Sequence, residues 1–150
     1  MKLIFESKLS NKNGAEEYRK IWKEEGRKMV RNIQNHSGLF FKTKKVTVDV
    51  YDGKSTSHPL RLRHNYDIFF KKAVIIHELL HIIFVDNEIR LEDSLSLHVK
   101  LFRYYYDILL DMYGDDFLRK VIEKEKSFGE IYENAWNAVE QEKGAVSSVG

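Results

Sequence analysis

The chain of 150 residues has no cysteine and a single proline. Without cysteine there is no disulfide framework, no thiolate zinc site, no zinc-finger appendage and no cysteine nucleophile. The absence is compatible with a reducing compartment. Long hydrophobic runs are also missing. The stretch from Val74 to Val85 is too short, and too interrupted by His and Glu, to span a bilayer. The segment Met1-Lys2-Leu3-Ile4-Phe5-Glu6-Ser7-Lys8 holds too few apolar residues for a signal peptide. A cytoplasmic protein with no membrane partner is therefore expected. Charge of one sign does not dominate either. Lys and Arg number 25 against 23 Asp and Glu, a net +2. That excess is too small to argue by itself for nucleic acid or a membrane surface.

What is present is ordinary for a globular chain: 43% hydrophobic, 13% aromatic and 32% charged residues. The length predicts one domain over residues 1–150 with a real core. Residues 2–8 read as a short strand. Asn11-Lys12-Asn13-Gly14 reads as a turn that caps the next helix. From Ala15 to about Asn35, Tyr18, Trp22, Gly26, Met29 and Ile33 fall at helical spacing, and Arg19, Lys20, Lys23, Arg27 and Arg31 project elsewhere. Such a basic face is either solvent cover or a nucleic-acid surface.

Lys45 to Tyr51 alternates with period two, the mark of a half-buried strand. Asp52-Gly53 supplies hairpin-turn chemistry. Leu60-Arg61-Leu62-Arg63 alternates again, and Pro59 before it favours an edge strand or a strand start, because proline donates nothing to a ladder. Helices are expected over 67–85, 94–113, 117–126 and 129–143, with Asp93 or Ser94 as an N-cap and Gly114-Asp115-Asp116 as a break. On the second of these, Leu91, Leu95, His98, Phe102, Tyr105 and Leu109 form one stripe. Residues 145–150 are expected to form a frayed, flexible tail.

The most specific pattern is His77-Glu78-Leu79-Leu80-His81, an H-E-x-x-H inside the apolar run Ala73 to Val85. Residues four apart on a helix lie on one face, so the two imidazoles converge on one point, as zinc ligands must. Glu78 follows the first histidine directly and is placed to act as general base. A helix apolar nearly all round is a buried one. Burying two His and a Glu there is costly unless something pairs with them, and a metal would. A catalytic zinc needs a third protein ligand. His98, in the apolar stripe of the following helix, is the first candidate. Glu88, Glu92 and Asp93 are acidic alternatives.

A hairpin ending in an edge strand, an H-E-x-x-H helix, a short polar connection and an H-x-x-x-F opening a second helix together resemble the SprT/Spartan-type zincin metallopeptidases. The resemblance is carried by Leu60-Arg61-Leu62, His77 to His81, Ile83-Phe84-Val85-Asp86-Asn87 and His98-Val99-Lys100-Leu101-Phe102, about the middle third of the chain. Leu97 and Val99 stand where that family usually has glycines. The compact size also resembles the minimal gluzincins, whose third ligand is a glutamate on the second helix. The resemblance implies an α+β zincin-like fold, with a small antiparallel or mixed sheet packed on the active-site helix and further helices. It implies Zn²⁺ as cofactor, a polypeptide substrate and hydrolysis of a peptide bond through a metal-activated water with Glu78 as base. An oxyanion donor would come from His64, after the edge strand, or from Tyr105 or Tyr106, about two turns beyond His98. Two other readings stand beside it. One is a non-catalytic or vestigial zinc-binding module. The other is a nucleic-acid-associated protein that uses the basic face of the first helix.

Overall fold

The computed structural model describes residues 1–149, with side chains as far as residue 144. The tail expected over 145–150 lies outside those described side chains, and Gly150 lies outside the described residues altogether. The chain is α+β and divides into two compact units, Met1–Ile89 and Arg90–Gly150.

The first unit holds all four strands and two helices: β1 (Lys2–Ser7), α1 (Lys12–Ser37), β2 (Lys45–Tyr51), β3 (Thr56–Ser57), β4 (Leu60–Arg63) and α2 (Ile68–Asp86). The sheet is mixed, in the order β1-β2-β4-β3. β1 runs parallel to β2, with Leu3 opposite Val46 and Phe5 opposite Val48. A parallel neighbour needs a crossover, and the 26-residue α1 supplies it. Alternation puts Leu3, Phe5, Val48, Val50, Leu60 and Leu62 into the core.

Two expectations are corrected here. β4 is not an edge strand: it lies between β2 and β3. Pro59 marks a strand start, immediately before Leu60, where its missing N–H costs no ladder bond. Nor do the alternating segments around Asp52-Gly53 form one antiparallel hairpin. β2 and β4 are parallel, Val50 facing Leu62. The antiparallel partner of β4 is the two-residue β3. Period-two alternation fixes which face is buried but says nothing of strand direction. Gly53 is not needed for a positive φ; the Tyr51 ring lies so close that an added Cβ would sit 2.7 Å from it.

α1 begins earlier than its apolar stripe suggests, taking in Gly14. There a Cβ would come within 2.4 Å of the His64 carbonyl oxygen, so the residue permits close approach rather than a turn. α2 buries thirteen of its nineteen residues, which is why any polar group on it must be accounted for. Lys71 is one: its Nζ donates to the Tyr66 carbonyl at 2.5 Å, lies 3.4 Å from Glu17 and sits over the Tyr18 ring. The C-terminal end of α2 is tied down by Asp86. Its carboxylate accepts from the Lys42 and Thr43 N–H groups, both at 2.8 Å, and from the Thr43 hydroxyl at 2.7 Å.

The second unit is three helices, α3 (Ser94–Tyr113), α4 (Asp115–Lys126) and α5 (Glu130–Val149). Asp93 caps α3, accepting from the Ser96 N–H at 2.7 Å. Gly114, at φ 89°, ends α3, and Asp115 and Asp116 open α4, where the helix dipole favours negative charge. His98, Phe102, Tyr105 and Leu109 are buried as the stripe predicted. Leu91 and Leu95 are not, at 39% and 40% exposure. Phe102 stacks on Trp136 with centroids 4.3 Å apart. The fully buried Glu125 accepts from the Tyr105 hydroxyl at 2.9 Å and from the Trp136 indole at 3.3 Å. Among the described residues, no helix is long and apolar enough to cross a membrane.

Candidate metal centre

His77, Glu78 and His81 lie in the middle of α2, where flanking Ile75, Ile76, Leu79, Leu80 and Ile82 are all buried. The helix repeat stacks the two imidazoles: their centroids are 5.2 Å apart and their planes 28° from parallel. His77 and Glu78 are almost completely buried and His81 is half-buried. The Nε2 atom of His77 is out of reach of solvent.

His98 lies one turn into α3. Its Nδ1 faces the Ser94 carbonyl at 2.7 Å and the Ser94 hydroxyl at 3.2 Å. A carbonyl can only accept, so Nδ1 carries the proton and Nε2 is the lone-pair nitrogen. That backbone contact fixes the tautomer and orients the ring, as the outer hydrogen bond of a metal-bound histidine does. Phe102 and Tyr132 flank the ring, at 5.6 Å and 4.8 Å between centroids.

His77, His81 and His98 each offer one ligand atom, and these atoms lie within 4.8 Å of one another, so the three could hold one metal ion. The donor set is chemically apt. Three neutral imidazoles suit a borderline cation such as zinc. Glu78, next in sequence to His77, brings a carboxylate that the three-histidine set does not use.

The other expected participants are not part of that group of three. Asp93 spends its carboxylate on the α3 cap, and the Ser96 N–H holds its pKa below the ordinary range. Glu88 lies beyond the C-terminal end of α2, at φ 56°, and Glu92 is exposed. His64 turns Nε2 to Asp52 at 3.1 Å. Tyr105 is fully buried with its hydroxyl on Glu125. Tyr106 carries the Lys143 ammonium over its ring at 5.4 Å. Two neighbours of His98 were not anticipated. Ser94 was legible, standing one turn before the histidine. Tyr132 was not, because only the packing of α5 on α3 brings it there.

Comparison with protein-family models, with curated proteins and with solved structures finds no match to this chain.

Proposed function

We propose that the protein is a zinc-dependent metallopeptidase with a zincin-like site. His77, His81 and His98 would hold the ion, and the observation that carries the reading is that their ligand atoms lie within 4.8 Å of one another, with Glu78 next to His77 on the buried α2. Zinc, when bound, supplies a Lewis acid that acidifies water and polarises a scissile carbonyl. The chain's own residues do the rest. Glu78 takes the proton of the attacking water and returns it to the departing amine. The apolar surroundings of Glu78 keep competing water away from that carboxylate. The Ser94 carbonyl holds His98 in one tautomer. Tyr132 is the phenol beside His98 and replaces Tyr105 and Tyr106 as the side chain to test for contact with the transition state.

Metal content and hydrolysis of an unfolded polypeptide test the reading together. Wild type is expected to carry about one zinc per chain and to cleave. Glu78→Gln is expected to keep the zinc and lose cleavage by several orders of magnitude. His98→Ala is expected to lose stoichiometric zinc while retaining its helical spectrum. Zinc retained in His98→Ala would transfer the third position to another ligand, and full cleavage by Glu78→Gln would remove the mechanism. A zinc-loaded wild type that cleaves nothing would leave a binding module.

A further inference from the structure

We infer that the first unit carries a second site, independent of the metal reading: a pocket on α1 that takes a nucleotide, with a base on Trp22 and phosphate on Lys23, Arg27 and Arg31. The pocket has a volume of about 560 Å³ and is lined by Trp22, Lys23, Gly26, Arg27, Val30 and Arg31 among others. That is the size range of small-ligand sites.

The residues form two parallel rows. Trp22, Gly26 and Val30 make one at four-residue spacing, and Lys23, Arg27 and Arg31 make the next, so successive cations rise by about 6 Å along the helix. Gly26 has a packing reason. A Cβ there would fall 2.7 Å from the indole of Trp22, so only glycine lets the ring lie flat along the helix. Trp22 is half-buried, and among the described residues no other ring stacks on it and no cation lies over it. A planar apolar surface is thus held in place and left available.

Charge points the same way. α1 carries seven Lys and Arg against four Glu. Three of those glutamates are occupied elsewhere: Glu16 with Arg19 at 2.6 Å, Glu17 with Lys71 at 3.4 Å and Glu25 with Lys72 at 3.0 Å. Lys23, Arg27 and Arg31 have no ion pair among the described residues. A row of unneutralised cations beside a flat ring complements a phosphate joined to a base better than it does a simple anion or an apolar group. The same chemistry comes from a free nucleotide or from one unit of a single strand.

Titration of the 150-residue chain, followed by calorimetry, separates these sources. The probes are AMP, adenosine, ribose 5-phosphate and a ten-nucleotide oligo(dT), against wild type, Trp22→Leu, Trp22→Phe and Arg27→Glu. At least one of AMP and oligo(dT) is expected to bind, and adenosine and ribose 5-phosphate at least fivefold more weakly. Trp22→Leu is expected to lose about fivefold or more, the usual worth of one stacked base, and Trp22→Phe to retain most of the affinity. Arg27→Glu is expected to lose at least as much as Trp22→Leu. Binding by AMP assigns a free nucleotide. Binding by oligo(dT) alone, with log K falling by about 2 per decade of salt (three cations at about 0.7 each), assigns a strand. Binding by neither overturns the proposal. So does ribose 5-phosphate matching the nucleotide, or Trp22→Leu binding as wild type does while its circular dichroism is unchanged.

Discussion

At the scale of single residues, contact with His98 decides which tyrosine to test first. Tyr105 and Tyr132 both reach the neighbourhood of Phe102. Tyr105 gives its proton to Glu125 inside the helical core, and that carboxylate also accepts the Trp136 indole N–H. Removing the Tyr105 hydroxyl therefore acts on stability. Tyr132 packs its ring on His98 and is half-buried. If the metal reading holds, Tyr132→Phe is expected to keep zinc and thermal stability but to lower kcat on the order of a hundredfold with KM little changed, the pattern of a lost transition-state donor. Tyr105→Phe is expected to lower the melting temperature and leave kcat of the folded fraction alone. Steady-state kinetics and metal analysis of the two variants side by side check this. Equal kcat in wild type and Tyr132→Phe would leave that phenol a packing residue.

Elements were legible to very different degrees. α3 was readable to the residue, because a capping Asp at one end and Gly114 at the other state their chemistry locally. The H-E-x-x-H helix was readable from its apolar run, and the structure buries it accordingly. Strand pairing was not. Nothing in Lys45–Tyr51 or Leu60–Arg63 records that they run parallel, since direction depends on β3, whose two residues carry no pattern. The clamp on the C-terminal end of α2 was equally invisible. It joins Asp86 to Lys42 and Thr43, more than forty positions away. Partial desolvation raises the pKa of Asp86, but hydrogen bonds from Thr43 and Lys42 outweigh it and hold the carboxyl below the ordinary range. A depressed carboxyl stabilises the fold above its unfolded pKa, and that contribution is lost as pH falls through the folded value. Asp86→Ala is thus expected to cost about 1–2 kcal/mol at pH 7, reduced from a buried case by solvent screening. The difference from wild type should shrink as pH falls below about 4, where an unfolded Asp itself takes up a proton. Urea unfolding of both proteins at pH 7 and at acid pH measures it. A penalty that stays constant with pH would mean that the clamp does not depend on the charge.

For the molecule as a whole, length and composition predicted a globular chain with a core and the resemblance implied the α+β class, but neither said how that core is divided. Each unit closes its own apolar interior: one around the sheet, α1 and α2, the other around Phe102, Tyr105, Leu118, Val121 and Trp136. The local signals on α2 and α3 were each legible. That His77, His81 and His98 could hold one ion is a long-range relation that no spacing rule encodes. It also makes a prediction about the folded chain. A ligand that binds only the folded state stabilises it by mass action, about 2.7 kcal/mol at a hundredfold excess over Kd. For a chain of this size that corresponds to a rise in melting temperature of about 5–10 °C. Adding zinc to metal-stripped wild type is expected to give such a rise, and a chelator to reverse it. Glu78→Gln is expected to show the full shift, because its carboxylate is not among the ligands. His77→Ala is expected to show little of it. A shift of equal size in His77→Ala would place the stabilising ion somewhere other than on α2, since losing one of three imidazoles leaves a site too poor to account for it.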